Sequence, residues 1–276
     1  MPTRALPPAA EAFDQVAPRF DERFGGWRSV AAQRRAVRRN LAAAFPLGAA
    51  VLEVGGGTGE DAAWLLDRGR RVFLTDASPA MVTVAARKLA GRAEAEVWPA
   101  EELDALADEW RRRGERPFDG AFSNFAALNC VADLRPVARG LARLLRTGAP
   151  ALLVLFGPCA PGEWVTELAR RNPSAAFRRR QRGDVPARLG GRDFTVRYHR
   201  PADVRRAFAP WFRLARTRGI GVFVPPSAAE PWISRHPRLL AILAALDRAA
   251  EAPLARLGDH VLYHLVRTDA PVEEGR

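Results

Sequence analysis

Residues 51–66 restrict the fold of this chain more than any other stretch. The short, mostly apolar run Val51–Val54 predicts a buried strand, and a glycine-dense turn follows at residues 55–59. Glu60–Leu66 then predicts a helix. A strand, a glycine turn and a helix in this order are typical of α/β sheets that hold an adenosine-containing cofactor. Glycine lets the backbone turn tightly and approach a ligand where a Cβ atom would clash.

The spacing of these glycines fits two classes of cofactor. Gly57, Gly59 and Ala62 match the dinucleotide pattern G-x-G-x-x-G/A, but a lone match of this kind is a weak indication. One step earlier, Glu53 and Gly55 open the pattern E-x-G-x-G-x-G. A dinucleotide would place its pyrophosphate at the helix N-terminus, which favours an anion. The acid at the end of the strand, with two more in the first helical turn, suits a cationic ligand better.

The rest of the chain alternates between predicted strands and helices up to residue 158. The predicted strands after the first are Arg71–Asp76, Glu94–Trp98, Phe118–Asn124, Ala149–Phe156, 212–224 and 260–268. Strands that alternate with helices predict a parallel sheet with helices on both faces. The sequence therefore predicts an α/β fold with a sheet of seven strands.

The length of 276 residues suits one domain with additions to its core. After residue 158 the alternation breaks, in a segment that contains the basic run Arg178–Arg182 and the pair Gly190–Gly191. We interpret this segment as an insertion over the active site. The predicted parts are an N-terminal helical cap (1–45), a cofactor-binding core (46–158), an inserted lid (159–200), and the C-terminal part of the sheet (201–268) with a helical insertion (227–257).

The formal net charge of +12 does not by itself indicate a nucleic acid partner. A strong basic balance can mark binding to nucleic acid or to an anionic surface. Here Lys88 is the only lysine, and arginine supplies every other basic side chain. That composition is typical of GC-rich coding bias, so we interpret the charge as a solvated surface.

The two cysteines, Cys130 and Cys159, form no C-x-x-C pattern, so we expect neither a disulfide scaffold nor a metal site. The first ten residues hold no apolar segment of the signal-peptide type. The longest apolar run, Ala149–Phe156, is far shorter than a membrane span. We therefore expect a cytoplasmic protein without membrane contact.

Over about Val51–Phe156 the chain resembles the class I S-adenosylmethionine-dependent methyltransferases. The segments that match that family in order are Glu53–Gly59, Asp76–Met81, Ala100–Leu103 and Phe118–Asn129. The resemblance implies a Rossmann-like sheet of seven strands whose last strand is antiparallel. It also implies S-adenosylmethionine as the cofactor.

The resemblance implies a set of cofactor-binding residues. They are Glu53, Gly55, Gly57, Gly59, Asp76, Ala77, Met81, Ala100, Glu101, Ser123 and Asn124. The Asp76 carboxylate would accept both ribose hydroxyls, and Glu53 would position the turn or the ammonium group of the ligand. The chain departs from the family at Pro99, where many members carry Asp. A proline offers neither a side-chain acceptor nor an N–H group, so this departure puts one adenine contact in doubt.

The expected acceptor side of the site lies beyond the fourth strand. We expect Phe20, Phe125, Asn129 and Tyr198 to line a substrate pocket. A general base is needed only if the acceptor must lose a proton. Of the four histidines, His199 is the candidate base, because it stands beside Tyr198 in the inserted lid and titrates near neutral pH.

The first functional hypothesis is methyl transfer to an oxygen or nitrogen of a small-molecule metabolite, by in-line displacement. No N-P-P-Y-type segment follows the fourth strand, and no RNA-binding module is recognisable. An alternative is an RNA or protein methyltransferase in which Arg178–Arg182 binds phosphate or an acidic surface. Another is a non-catalytic cofactor-binding partner subunit, which the altered Pro99 position keeps open. A nicotinamide oxidoreductase is a fourth and more distant hypothesis.

Overall fold

The computed structural model describes residues 6–272, and a seven-stranded sheet lies at their centre. The strands of the described residues are β1 (Ala50–Val54), β2 (Arg71–Asp76), β3 (Glu94–Val97), β4 (Gly120–Ser123), β5 (Pro150–Phe156), β6 (Asp184–Leu189), β7 (Arg192–Arg197), β8 (Phe212–Ile220) and β9 (His260–Arg267). All of them except β6 and β7 belong to the seven-stranded sheet. The sheet has the order β3-β2-β1-β4-β5-β9-β8, and β9 is antiparallel to both neighbours. The predicted α/β sheet with an antiparallel last strand is confirmed. Residues 1–5 of the predicted cap lie outside the described residues.

Helices cover both faces of this sheet, as predicted. They are α1 (Pro8–Val16), α2 (Phe20–Phe24), α3 (Arg28–Ala44), α4 (Glu60–Leu66), α5 (Pro79–Leu89), α6 (Leu103–Arg112), α7 (Leu134–Leu144), α8 (Pro161–Ala169), α9 (Pro173–Ala176), α10 (Pro201–Phe208) and α11 (Pro237–Ala250). The helices α6, α7 and α10 share a core with Leu52, whereas α3, α4 and α5 share one with Val51. This division follows from the strand itself, because successive side chains point to opposite faces.

Local capping explains where two core helices begin. Before α5, the Ser78 hydroxyl accepts a hydrogen bond from the Met81 N–H at 3.1 Å, and Pro79 occupies the first helical position. Before α7, the Asp133 carboxylate accepts from the Arg135 N–H at 2.9 Å. These side chains satisfy backbone N–H groups that the first helical turn leaves free. Within residues 6–272, none of the helices is long and apolar enough to cross a membrane.

The segment predicted as an inserted lid contains α8, α9 and a hairpin of β6 and β7. Gly190 and Gly191 join the two strands with φ angles of +58° and +81°. Two consecutive positive φ angles are what a two-residue type I′ turn requires, so the glycine pair marks the hairpin. The Phe194 ring of β7 lies 6.1 Å from the Phe13 ring of α1, and the hairpin thereby meets the N-terminal cap.

The buried hydroxyl group of Tyr263, on β9, is expected to lower the stability of the folded protein. Its side chain is fully buried, and its hydroxyl has no hydrogen-bond partner within the described part of the chain. A buried polar group without a partner destabilises the folded state. We expect Tyr263→Phe to raise the free energy of unfolding by about 1 kcal/mol. Urea denaturation checks this, and a loss of stability of that size would show that the hydroxyl has a partner.

Candidate active site

A cavity lies at the edge of the sheet where β1, β2 and β4 end, which is where open α/β sheets bind ligands. The predicted site residues that line it are Glu53, Gly55, Gly57, Asp76, Ala77, Met81, Ala100, Glu101, Asn124, Phe20 and Phe125. Several other lining residues were not predicted from the sequence, and they include Phe13, Arg34, Thr58, Trp98 and Cys130. The fold thus brings most of the predicted cofactor-binding residues together around one cavity.

The turn at residues 55–59 requires glycine at two of its positions, Gly55 and Gly57. Gly55 and Gly57 have φ angles of +67° and +55°, in the left-handed region that other residues rarely adopt. A Cβ atom on Gly55 would also lie 2.5 Å from the Cβ of Ala127. The turn therefore passes too close to the residues after β4 to carry any side chain at Gly55.

Asp76 joins the end of β2 to the glycine turn. Its Oδ2 accepts a hydrogen bond from the Gly57 N–H at 2.8 Å, and its Oδ1 accepts from the Ser78 N–H at 2.9 Å. Burial raises the pKa of Asp76 above its ordinary value, although these backbone donors act in the opposite direction. Each carboxylate oxygen has a further lone pair. Asp76 is thus able to accept ligand hydroxyl groups while it holds the turn in place.

Glu53 is a buried acid whose Oε2 has no hydrogen-bond partner within residues 6–272. Burial raises the pKa of Glu53 well above its ordinary value, and the negative charge of Asp61 raises it further. A buried carboxylate without a partner is unfavourable unless a cation or a donor meets it. Glu53 lines the cavity, so it suits the ammonium group of a ligand and fits the predicted cofactor.

Asp61, at the start of α4, is held by three side chains from elsewhere in the fold. Arg34 and Arg38 of α3 approach its carboxylate at 3.0 and 2.6 Å, and the Asn124 amide donates to it at 2.7 Å. The Arg34 guanidinium also lies 4.6 Å from the centre of the Phe125 ring. Because Arg34 and Arg38 are four residues apart, the sequence predicts that both lie on one face of a helix. That spacing does not predict Asp61 as their partner.

The backbone after β4 is strained where the cavity meets the predicted acceptor side. Phe125 and Ala126 have φ angles of +46° and +62°, which are unusual for residues with a side chain. The Ala126 N–H donates to the Val154 carbonyl at 3.0 Å, which holds this conformation against β5. Strained residues of this kind cluster at active sites and ligand clamps.

The side of the cavity that is predicted to meet adenine differs at Pro99 from the pattern that the resemblance implies. This proline, with φ of −58°, precedes a 3₁₀ turn at Ala100–Glu102, and Ala100 and Glu101 line the cavity. The preceding residue, Trp98, also lines it and donates from its indole to Glu96 Oε2 at 2.8 Å. An aromatic side chain thus lies next to the position where many family members carry Asp.

Two acids anchor the N-terminal segment over the cavity. Asp14 accepts hydrogen bonds from the Ser78 hydroxyl at 2.5 Å and from the Ala80 N–H at 2.9 Å. Asp21 accepts from the Thr58 hydroxyl and from Lys88, both at 2.7 Å. Between them the rings of Phe13 and Phe20 line the cavity. Residues 8–24 are the part of the predicted N-terminal cap that carries these contacts, and from here on the word cap means this part.

We expect the double substitution Asp14→Ala with Asp21→Ala to release the cap. Hydrogen bonds to a charged group contribute about 1.5–3 kcal/mol each. Amide hydrogen exchange in α1 should therefore accelerate by at least about tenfold, whereas exchange in α6 should not change. Glu11→Ala is the control, because within residues 6–272 the Glu11 carboxylate makes only an exposed ion pair with Arg192 at 3.8 Å. Unchanged exchange in the double variant would show that other contacts hold the cap.

Five predicted site residues do not line the cavity, namely Gly59, Ser123, Asn129, Tyr198 and His199. Gly59 begins α4 with a φ angle of +77°, and Ser123 is a buried residue of β4. Asn129 links β5 to β7, since its amide donates to the Arg197 carbonyl at 2.7 Å and accepts from the Phe156 N–H at 3.0 Å. Their predicted roles at the site stay predictions.

His199, the predicted base, is buried behind the cavity wall. Its Nε2 lies 2.9 Å from the carbonyl oxygen of Val131, which is consistent with a hydrogen bond from the ring to the backbone. Burial lowers the pKa of His199 below its ordinary value. Tyr198 and His199 border a separate groove with Arg182 and Arg200. His199 thus lies outside the cavity lining, and its role as a base stays a prediction.

A family model described as a methyltransferase domain matches residues 52–151. No curated protein matches the chain in sequence. The solved structures with a similar fold include a protein from Listeria monocytogenes described as an S-adenosylmethionine-dependent methyltransferase. It is 15% identical with a TM-score of 0.60, and the match covers 88% of this chain and 100% of that one.

Two further structures come from Streptomyces. The CcbJ methyltransferase from Streptomyces caelestis is 16% identical with a TM-score of 0.56, over 93% of this chain and 98% of that one. Geranyl diphosphate C-methyltransferase from Streptomyces coelicolor is 14% identical with a TM-score of 0.50, over 85% and 79% of the two chains. At these identities the likeness shows a shared fold. Residues 52–151 thus match a methyltransferase domain, and the sheet around them has the fold of the class I S-adenosylmethionine-dependent methyltransferases.

Proposed function

We propose that this enzyme methylates an oxygen or nitrogen atom of a small-molecule metabolite. The observation that carries the proposal is the cap, which covers the cavity with Phe13 and Phe20 and is anchored by Asp14 and Asp21. A covered cavity lined by aromatic rings suits a small acceptor that enters it entirely. A polymer would need an open path to the methyl group.

The basic run of the lid supports this choice over a polymeric acceptor. Arg179 is buried and pairs with Asp259 at 2.6 Å and with Glu163, and Arg178 also pairs with Glu163, at 2.7 Å. Internal ion pairs therefore occupy two arginines of the run that an RNA or protein methyltransferase would use to bind phosphate or acidic groups. The fold does not fix the acceptor atom, because the similar enzyme from Streptomyces coelicolor is a C-methyltransferase.

The residues of this chain have a limited task in such a reaction. When bound, S-adenosylmethionine supplies a methyl group that its positively charged sulfur has already activated. Glu53 and Asp76 would hold the cofactor, and Phe125 would face the acceptor. The cap would exclude water and keep the acceptor aligned, which are the main contributions that a protein makes to a displacement of this kind.

Methyl labelling tests the proposal. The purified protein is incubated with methyl-labelled S-adenosylmethionine and an extract of a native-type host, and the products are separated by size. The proposed function predicts label in the small-molecule fraction that is absent when the enzyme is omitted. Label in RNA or protein would contradict it and favour the alternative. Cofactor binding without label in any fraction would favour a non-catalytic subunit.

A further inference from the structure

The helix α11 contains an unbroken run of apolar residues at positions 239–246. Its inner face packs near α3, where Leu240 joins Ala32 and Ile233 in a small core. A helix that is apolar on every side is normally buried on every side. Within residues 6–272, the outer face of α11 lacks the cover that this composition requires.

The outer face of α11 exposes a row of large apolar side chains. Leu239, Ile242 and Leu246 are spaced three and four residues apart, which places them on one face of the helix. Ile242 is 59% exposed and Leu246 is 47% exposed, and Ala245 is exposed between them. Single exposed apolar side chains are ordinary, but a contiguous row marks a surface that binds a partner.

Exposed apolar residues also flank the two ends of α11. Trp232 lies before its start, with its ring 4.7 Å from the His236 ring, and is 53% exposed. Phe223 lies beside its second half, because the Asp247 carboxylate accepts the Phe223 N–H at 2.6 Å. Leu254 follows its end. Together these exposed side chains form what we call the α11 surface, namely Phe223, Trp232, Leu239, Ile242, Leu246 and Leu254.

The α11 surface is accompanied by positive charge and by no exposed acid. Apart from the ionisable His236, the exposed side chains of residues 231–256 that carry charge are Arg235, Arg238, Arg248 and Arg256. The two acids of the same segment are not exposed. Asp247 is buried, and Glu251 pairs with Arg218 at 2.7 Å. A partner of this surface must therefore combine an apolar centre with negative charge around it.

The charge decides between a second copy of the chain and a lipid surface. A two-fold interface would place this surface against itself and bring its arginines near their own copies, where like charges repel. An anionic bilayer offers phosphate groups to the arginines and an apolar layer to the other side chains. Tryptophan and arginine suit that boundary, because each combines an apolar body with a polar end. The net charge of +12 favours the same partner.

We infer that the α11 surface binds a membrane that contains anionic lipids. The apolar side chains enter the layer below the head groups, and the arginines lie at the level of the phosphates. The absence of a membrane-spanning run led to the expectation of no membrane contact, but a peripheral contact of this kind needs no such run. None of the residues of the α11 surface lines the cofactor cavity, so the inference is independent of the proposed function.

Flotation of the purified full chain with lipid vesicles tests the inference. Vesicles of equal parts phosphatidylcholine and phosphatidylglycerol should carry the protein to the top of a density gradient. Vesicles of phosphatidylcholine alone should bind it at least about tenfold more weakly. High salt should also weaken the binding, because it screens the attraction between arginine and phosphate. Equal binding to both kinds of vesicle, or binding to neither, would overturn the inference.

Two double variants separate the apolar contribution from the charge. Ile242→Gln with Leu246→Gln should weaken binding to the anionic vesicles by at least about tenfold, because the new side chains gain little on leaving water. Arg238→Gln with Arg248→Gln should weaken it by about tenfold or more. Glutamine is a good helix former, so α11 should persist in both variants.

The matched controls are Leu47→Gln and the pair Arg87→Gln with Arg116→Gln. Leu47 is an exposed apolar residue before β1, and the two arginines are exposed residues whose replacement removes the same net charge. Vesicle binding by both controls should stay within about twofold of that of the unmodified protein. Circular dichroism and S-adenosylmethionine affinity should be unchanged in every variant. Equal losses in controls and α11 variants would show that the binding is not located at α11, and would overturn the inference.

Quenching by lipids with brominated acyl chains reports which part of the protein enters the bilayer. Of the seven tryptophans, Trp232 is the one on the α11 surface. Anionic vesicles with brominated chains should quench part of the tryptophan fluorescence, and Trp232→Phe should remove most of that quenching. Undiminished quenching in Trp232→Phe would show that another face meets the lipid, which contradicts the inference.

Light scattering without lipid tests whether protein covers this surface instead. A dimer that Ile242→Gln with Leu246→Gln converts into monomers would assign the α11 surface to a second copy and overturn the inference. A stable complex with an acidic protein of the host, lost in the same variant, would assign the surface to that protein and would also overturn it. The inference predicts a monomer for both the unmodified protein and the variant.

Discussion

Glu53→Gln should weaken S-adenosylmethionine binding by about 100-fold, which corresponds to about 2.7 kcal/mol. The substitution keeps the shape of the side chain but removes the negative charge that faces the cavity. Glu53 Oε2 is buried and has no partner within the described residues, so the ammonium group of the ligand would supply its favourable contact. Isothermal titration with S-adenosylmethionine measures the effect. Glu94→Gln is the control, because Glu94 is an exposed acid at the start of β3.

The same substitution should stabilise the protein in the absence of the cofactor, and the effect should depend on pH. The folded protein raises the pKa of Glu53 above its ordinary value of 4.5, so folding favours the protonated acid. The cost of the charge is absent below pH 4.5 and grows as the pH rises towards the folded-state pKa. Near neutral pH we expect Glu53→Gln to raise the free energy of unfolding by about 1–3 kcal/mol. A variant that loses both affinity and stability at neutral pH would contradict this account of Glu53.

Gly55→Ala should abolish measurable cofactor binding and destabilise the fold. The new Cβ atom would lie 2.5 Å from the Ala127 Cβ, and neither atom is able to move without its backbone. Overpacking costs about 1–3 kcal/mol, and a left-handed alanine costs about 1–2 kcal/mol more. We therefore expect a loss of about 2–5 kcal/mol in the free energy of unfolding.

Gly48→Ala is the matched control for the backbone contribution. Gly48 has a φ angle of +77°, but apart from its chain neighbours no atom of the described residues lies within 4 Å of the position of its added Cβ. It precedes β1, at the end of that strand opposite the cavity. Thermal unfolding and titration should show a loss of about 1–2 kcal/mol with normal cofactor affinity. Equal effects at Gly55 and Gly48 would show that the close approach to Ala127 is not what requires glycine.

The sheet and the glycine turn could be predicted from the sequence because both depend on local patterns. Central strands such as β1 and β5 are short, mostly apolar runs. The turn places its glycines and its acid within seven consecutive residues, 53–59. The hairpin of β6 and β7 also had a local signal in Gly190–Gly191, since two consecutive glycines between extended runs indicate a two-residue turn. The pair lies in the segment predicted as a lid, for which no strands were predicted on either side of it.

The acceptor side could not be predicted in the same way, because its contacts join distant elements. Asp61 meets Asn124 across 63 positions, and Asp259 meets Gln33 across 226. His260 begins β9 without a sequence pattern of its own, and it lies beside Phe156 because β9 is antiparallel to β5. His199 stood beside another predicted pocket residue in the sequence, but the fold turns it towards the Val131 carbonyl.

The most direct test of the account is a crystal structure of the protein with S-adenosylhomocysteine, whose sulfur marks the origin of the transferred methyl group. We expect the ribose hydroxyls on the Asp76 carboxylate, the amino group next to Glu53, and the sulfur directed towards Phe125. A ligand bound elsewhere, or one in this cavity with its sulfur directed away from Phe125, would contradict the placement of the cofactor and of the acceptor side.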